Sequence, residues 1–93
     1  MIDVKAKLIS IIHKHLPGCK IMLFGSRARG TNRDGADYDI AIDAGSKIPW
    51  TIVGDIVSDI EDSDIHVNVD VVDIQNVDAS FLEEVNRDAI VWT

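Results

Sequence analysis

Phe24-Gly25-Ser26-Arg27-Ala28-Arg29-Gly30, then Asp37-Tyr38-Asp39-Ile40-Ala41-Ile42-Asp43, is the stretch on which the fold turns. The second half alternates. Asp37, Asp39, Ala41 and Asp43 share one face of a strand, and Tyr38, Ile40 and Ile42 share the other. The first half leaves the short apolar run Lys20 to Phe24, which reads as a strand buried on both faces. Gly25 and Ser26 lead into a short helical turn, Arg27 to Thr31, and a polar loop, Asn32 to Ala36.

Helical patterns flank this unit. Val4, Leu8, Ile11 and Ile12 make one apolar stripe in a helix from Asp3 to His15, capped by Asp3 and stopped by Pro17-Gly18. Pro49 to Glu61 reads as a second helix, with Ile52, Ile56 and Ile60 in one row. His66 to Ile74 is a third strand. Asp78 caps a third helix, about Ala79 to Arg87, and Ile90 to Trp92 adds a short edge strand. This order predicts an α/β (α+β) sandwich, a small mixed sheet of three or four strands packed with about three helices. Between the first two strands an antiparallel connection and a true βαβ unit are both open.

The length of 93 residues predicts a single domain over residues 1–93. The first residues, Met1-Ile2-Asp3-Val4-Lys5, lack the layout of a secretory leader, and no apolar run is long enough to span a bilayer. A cytoplasmic location is expected. Cys19 is the one cysteine, which excludes an internal disulfide and reads as a small buried residue. Sixteen acidic against nine basic residues give −7, which argues against tight nucleic-acid binding and suits docking on a basic partner. His13, His15 and His66 lack metal-ligand spacing and read as structural or solvated. Trp50 and Trp92 read as core or edge packing, with a partner interface as the alternative.

The chemistry-bearing residues are few. A backbone without Cβ at Gly25 lets an anion approach, and unpaired amides at the start of the following turn favour phosphate. The Ser26 hydroxyl can donate to a phosphate oxygen, and Arg27 and Arg29 add positive charge. Asp37 and Asp39 project from one strand face, roughly 7 Å apart at Cα. Carboxylates that close suit a hard divalent cation, although the pair alone reads more readily as a wet acidic stripe at a sheet edge. Asp70, in Val67-Asn68-Val69-Asp70-Val71-Val72-Asp73, is a charge among valines, unusual in a central strand unless partnered. Asp70 and Asp73 face opposite ways, so only Asp70 is expected to join the cluster, with Asp73 solvated or a cap. The glycine spacing of Gly25 and Gly30 lacks the lysine of a P-loop, and no EF-hand pattern occurs.

Together, Gly25-Ser26, ten intervening residues, Asp37-x-Asp39 and the later Val69 to Ile74 segment resemble the minimal branch of the DNA polymerase β-type nucleotidyltransferases. The branch usually has serine where this chain has Ala36, a change that removes no metal ligand. The resemblance implies the nucleotidyltransferase fold. It implies that Asp37, Asp39 and Asp70 are catalytic and bind Mg²⁺, two ions in all, with Asp70 also helping to deprotonate the acceptor. It implies that Gly25, Ser26, Arg27 and Arg29 bind the nucleotide, with ATP as substrate. It further implies AMP transfer to a hydroxyl, a tyrosine of a helical HEPN-type toxin, with the chain as antitoxin. The alternatives are neutralisation by occlusion alone, and transfer to RNA or a small molecule.

Overall fold

The computed structural model describes residues 2–93; Met1, part of the stretch inspected for a leader, lies outside the described residues. Helix α1 spans Val4–His15. The Asp3 carboxylate accepts from the Ala6 amide at 3.1 Å, the expected cap. The stripe of α1 buries Leu8 and Ile12 completely. Strand β1 (Lys20–Phe24) follows, then a single-turn helix α2 (Gly25–Arg29) and strand β2 (Tyr38–Asp43). Helix α3 spans Trp50–Glu61, β3 Val69–Asp73, α4 Ala79–Asp88 and β4 Ile90–Val91. A 3-10 turn over Ile74–Asn76 joins β3 to α4, and Asp73 caps it through the Gln75 amide.

The sheet order is β3-β2-β1-β4. Strand β1 runs antiparallel to β2 and to β4, while β2 and β3 are parallel. The α/β expectation of a small mixed sheet with helices therefore holds, and the link between the first two strands is antiparallel. Ile21, Leu23, Ile40 and Ile42 point to one face, where α1 and α3 cover them with Leu8, Ile12 and Ile56. Met22 and Ala41 point to the other, where α4 covers them with Val85. Strand β1 is thus buried on both faces, as its unbroken apolar run requires.

Two expectations need correction. The strand bearing Asp70 is an edge strand and starts at Val69, not His66. Position at the edge lets the Asp70 side chain stay exposed, so no central-strand burial has to be offset. Trp50 is not core or edge packing: it is 84% exposed. It lies two residues before Ile52, about 200° around the helix from the Ile52-Ile56-Ile60 row, in which Ile56 and Ile60 are buried. Trp92 does pack against the core, beside Tyr38 at 6.5 Å between ring centroids.

Candidate active site

The site grows from the register of three strands. Phe24, the last residue of β1, stands opposite Asp39, and Asp39 stands opposite Asp70. Alternation puts Asp39 on the face that α4 only partly covers, with Ala41 behind it. At Gly25 the chain takes φ 74°, in the left-handed region, and turns into α2. A Cβ at this glycine would overlap the Asp39 carboxylate oxygen Oδ2. The backbone of the Gly-Ser corner therefore lies against the carboxylate, an approach that only glycine permits.

Gly25, Ser26, Arg29, Asp39 and Asp70 line one open cleft of about 630 Å³, with Phe81 and Glu84 of α4 as its far wall. Asp37 precedes β2, is exposed, and lines a neighbouring hollow that shares Asp70 with the cleft. Burial, then the charges of Asp70 and Asp37, push the Asp39 carboxyl above its ordinary pKa, while Arg29 pulls the other way. Such a group of acids gains from a cation. Among the described residues, no three acidic, histidine or cysteine side chains form a metal cage by themselves. Magnesium commonly takes one or two carboxylates and completes its shell with water and substrate phosphates. The oxygen donors of Asp37, Asp39 and Asp70 fit that pattern.

Residues 6–92 match the family described as polymerase beta, nucleotidyltransferase. The chain belongs to this family. No curated protein matches it. Solved structures do. One is a toxin–antitoxin crystal structure with AMP-PNP, 23% identical, with a TM-score of 0.72 over 96% of this chain and 72% of that one. A second is the tri-AMPylated Shewanella oneidensis HEPN toxin in complex with MNT antitoxin, 22% identical, with a TM-score of 0.64 over 94% and 66%. A third is the toxin–antitoxin MntA-HepT, 21% identical, with a TM-score of 0.64 over 94% and 67%. At these identities the likeness is one of fold.

Within this nucleotidyltransferase the two arginines of α2 part company. Arg29 lines the cleft and pairs with Asp88 of α4, Nη1 to Oδ2 at 2.8 Å. Arg27 does not line it. Its Nε and Nη2 donate to the Ala36 carbonyl at 3.0 and 2.8 Å, and its guanidinium lies 4.0 Å over the Tyr38 ring. Sequence reasoning missed the α4 wall. Phe81, Glu84, Val85 and Asp88 fall at i, i+3, i+4 and i+7, one helix face, but only Phe81 and Val85 register as an apolar stripe. The histidines are structural where bonds are seen: His13 Nε2 lies 3.0 Å from the Cys19 carbonyl, and His15 lies 2.6 Å from Asp59. No helix among the described residues is long and apolar enough to cross a membrane.

Proposed function

We propose that this chain is a magnesium-dependent adenylyltransferase that moves AMP from ATP to a tyrosine hydroxyl of a HEPN-type helical toxin, and acts as its antitoxin in the cytoplasm. The observation that carries the proposal is the in-register pair Asp39 and Asp70, which lines one cleft with the Gly25-Ser26 corner. The fold likeness to a toxin–antitoxin structure with AMP-PNP, and to a complex of an MNT antitoxin with a tri-AMPylated HEPN toxin, supports the choice of donor and acceptor.

Each residue has a physical task. The corner at Gly25 and Ser26 holds the triphosphate against backbone amides and the Ser26 hydroxyl. Arg29 supplies positive charge at the same wall. Asp37, Asp39 and Asp70 would hold magnesium, which when bound supplies the positive charge that phosphoryl transfer needs. Asp70 takes the proton of the attacking hydroxyl. The hydroxyl oxygen bonds to the α-phosphorus, and the bond to pyrophosphate breaks. The net charge of −7 favours a basic partner over nucleic acid.

The test is to purify the chain and the toxin encoded beside it, incubate both with ATP and Mg²⁺, and weigh the intact toxin. A gain of one or more AMP units is expected, and it should vanish with Asp39→Asn. An unchanged toxin mass beside an active chain-to-toxin complex would overturn transfer in favour of occlusion. AMP found on RNA instead would overturn the protein acceptor.

A further inference from the structure

Arg27 stands beside the nucleotide corner in sequence but turns its donors elsewhere. Nε and Nη2 both bond the Ala36 carbonyl, and the planar group lies on the Tyr38 ring. Ala36 and Tyr38 are the two neighbours of Asp37, and Tyr38 also precedes Asp39. One half-buried side chain thus grips the backbone on one side of Asp37 and the ring on its other side.

The segment that this grip secures has little else to hold it. Residues 31–35 are all exposed. Their backbone is tied by Thr31 to the Ser26 carbonyl at 3.0 Å and by the turn from Ala36 to Arg33 at 3.0 Å. The ladder begins at Tyr38, whose amide donates to the Asn68 carbonyl at 3.0 Å. Between that first ladder bond and the turn at residues 33–36 lies Asp37, outside the strand and exposed. A rigid fork suits the task. Its two donors fix the height of the carbonyl, and the stack on Tyr38 fixes its tilt.

We propose that Arg27 is a positioning residue that sets Asp37 and Asp39 for metal binding, rather than a ligand of the triphosphate. The proposal rests on the metal-dependent reading given above. It assigns the two arginines of α2 to different work: Arg29 faces the cleft, and Arg27 braces the strand that carries the acids.

The experiment compares wild type with Arg27→Gln and Arg27→Lys, the second keeping the charge but losing the fork. Mn²⁺ binding without nucleotide is followed by calorimetry, and amide exchange is followed along residues 31–37. ATP KM is then measured at saturating Mg²⁺. Supporting groups behind metal ligands typically contribute about tenfold to a hundredfold in affinity, and a loss of that order in Mn²⁺ binding is expected for Arg27→Gln. Arg27→Lys should recover part of it. Exchange at residues 31–37 should quicken, with the ATP KM nearly unchanged. A raised ATP KM with wild-type Mn²⁺ affinity and wild-type exchange would make Arg27 a phosphate ligand and overturn the proposal. Failure of the underlying reading looks different: wild type would bind Mn²⁺ no better than Asp39→Asn does.

Discussion

The two faces of this sheet are built from the same strands and do opposite things. One face is closed. Leu8, Ile12, Ile21, Ile40, Ile42 and Ile56 are fully buried there beneath α1 and α3. The other is half open. Helix α4 seals Met22, Ala41 and Val85 and stops short of Asp39 and Asp70. In β2 the faces are one residue apart: Ile40, completely buried, is the neighbour of Asp39, which borders the cleft. The period of two lets a five- or six-residue strand anchor a core and present carboxylates at once. It also locks the register, because a slip by one residue would bury the acids and expose the isoleucines. The closed face carries stability, and the open face is the one to which the proposed chemistry belongs.

The largest effect that would test this division comes from Gly25→Ala. The added methyl group would overlap Asp39 Oδ2, and φ 74° is costly for alanine. Displacing a positioned reacting group by an ångström can cost about a hundredfold in rate, so a fall in AMP transfer of at least about that size is expected. The left-handed backbone adds about 1–2 kcal/mol of destabilisation. Transfer rate per folded molecule, with urea unfolding alongside, is the measurement. A wild-type rate would mean that the corner does not need its close approach to Asp39.

Ile56→Ala probes the closed face. Ile56 is fully buried against the α1–α3 layer, and its truncation should cost about 2–5 kcal/mol in urea unfolding. Domains of ordinary stability have about 5–15 kcal/mol in all, so this is a large share. Transfer rate per folded molecule should stay at the wild-type value below the unfolding transition. A loss of rate without a loss of stability would dissolve the division between the faces.

How much of this was legible in the sequence differs between the faces in the same way. The closed face was plain, because the Ile52-Ile56-Ile60 row, the Val4 to Ile12 stripe and the alternation of β2 are local periodicities. Within the open face, Asp39 and its side of the strand were equally plain. The edge position of β3 was not, because strand order depends on pairing between distant segments, and a valine-rich run reads alike at an edge or a centre. Asp88 was silent, since a charge at a helix end gives no hint that Arg29, 59 residues earlier, will meet it. The orientation of Arg27 was silent too: a guanidinium reaches far, and spacing along the chain does not say which carbonyl it will find.

A smaller effect sits at the rim of the closed face, where α1 meets α3. The hydrogen bond from His15, with help from Lys14, holds the Asp59 carboxyl below its ordinary pKa. A carboxylate whose folded pKa is lowered contributes stability above the unfolded pKa and loses it as pH falls through the folded one. The unfolded value is about 3.9, so the loss belongs to the strongly acid limb below it. Wild type should therefore lose thermal stability more steeply than Asp59→Asn on acidification below about pH 4. Identical acid limbs would show that this exposed contact contributes nothing to folding.

The smallest effect expected is at Trp50, and its smallness is informative. A tryptophan normally ranks among the costliest residues to remove, at about 3–5 kcal/mol when buried. Trp50 is 84% exposed in the first turn of α3, at the border of a shallow hollow with Pro49 and Val53. Its ring therefore gains little from folding, and Trp50→Ser should change unfolding stability by no more than about 0.5 kcal/mol. A cost above about 1 kcal/mol would place the ring on Pro49 and Val53 and extend the closed face around the start of α3. The core side of α3 would then reach around to Trp50, and the row of isoleucines alone would no longer define it.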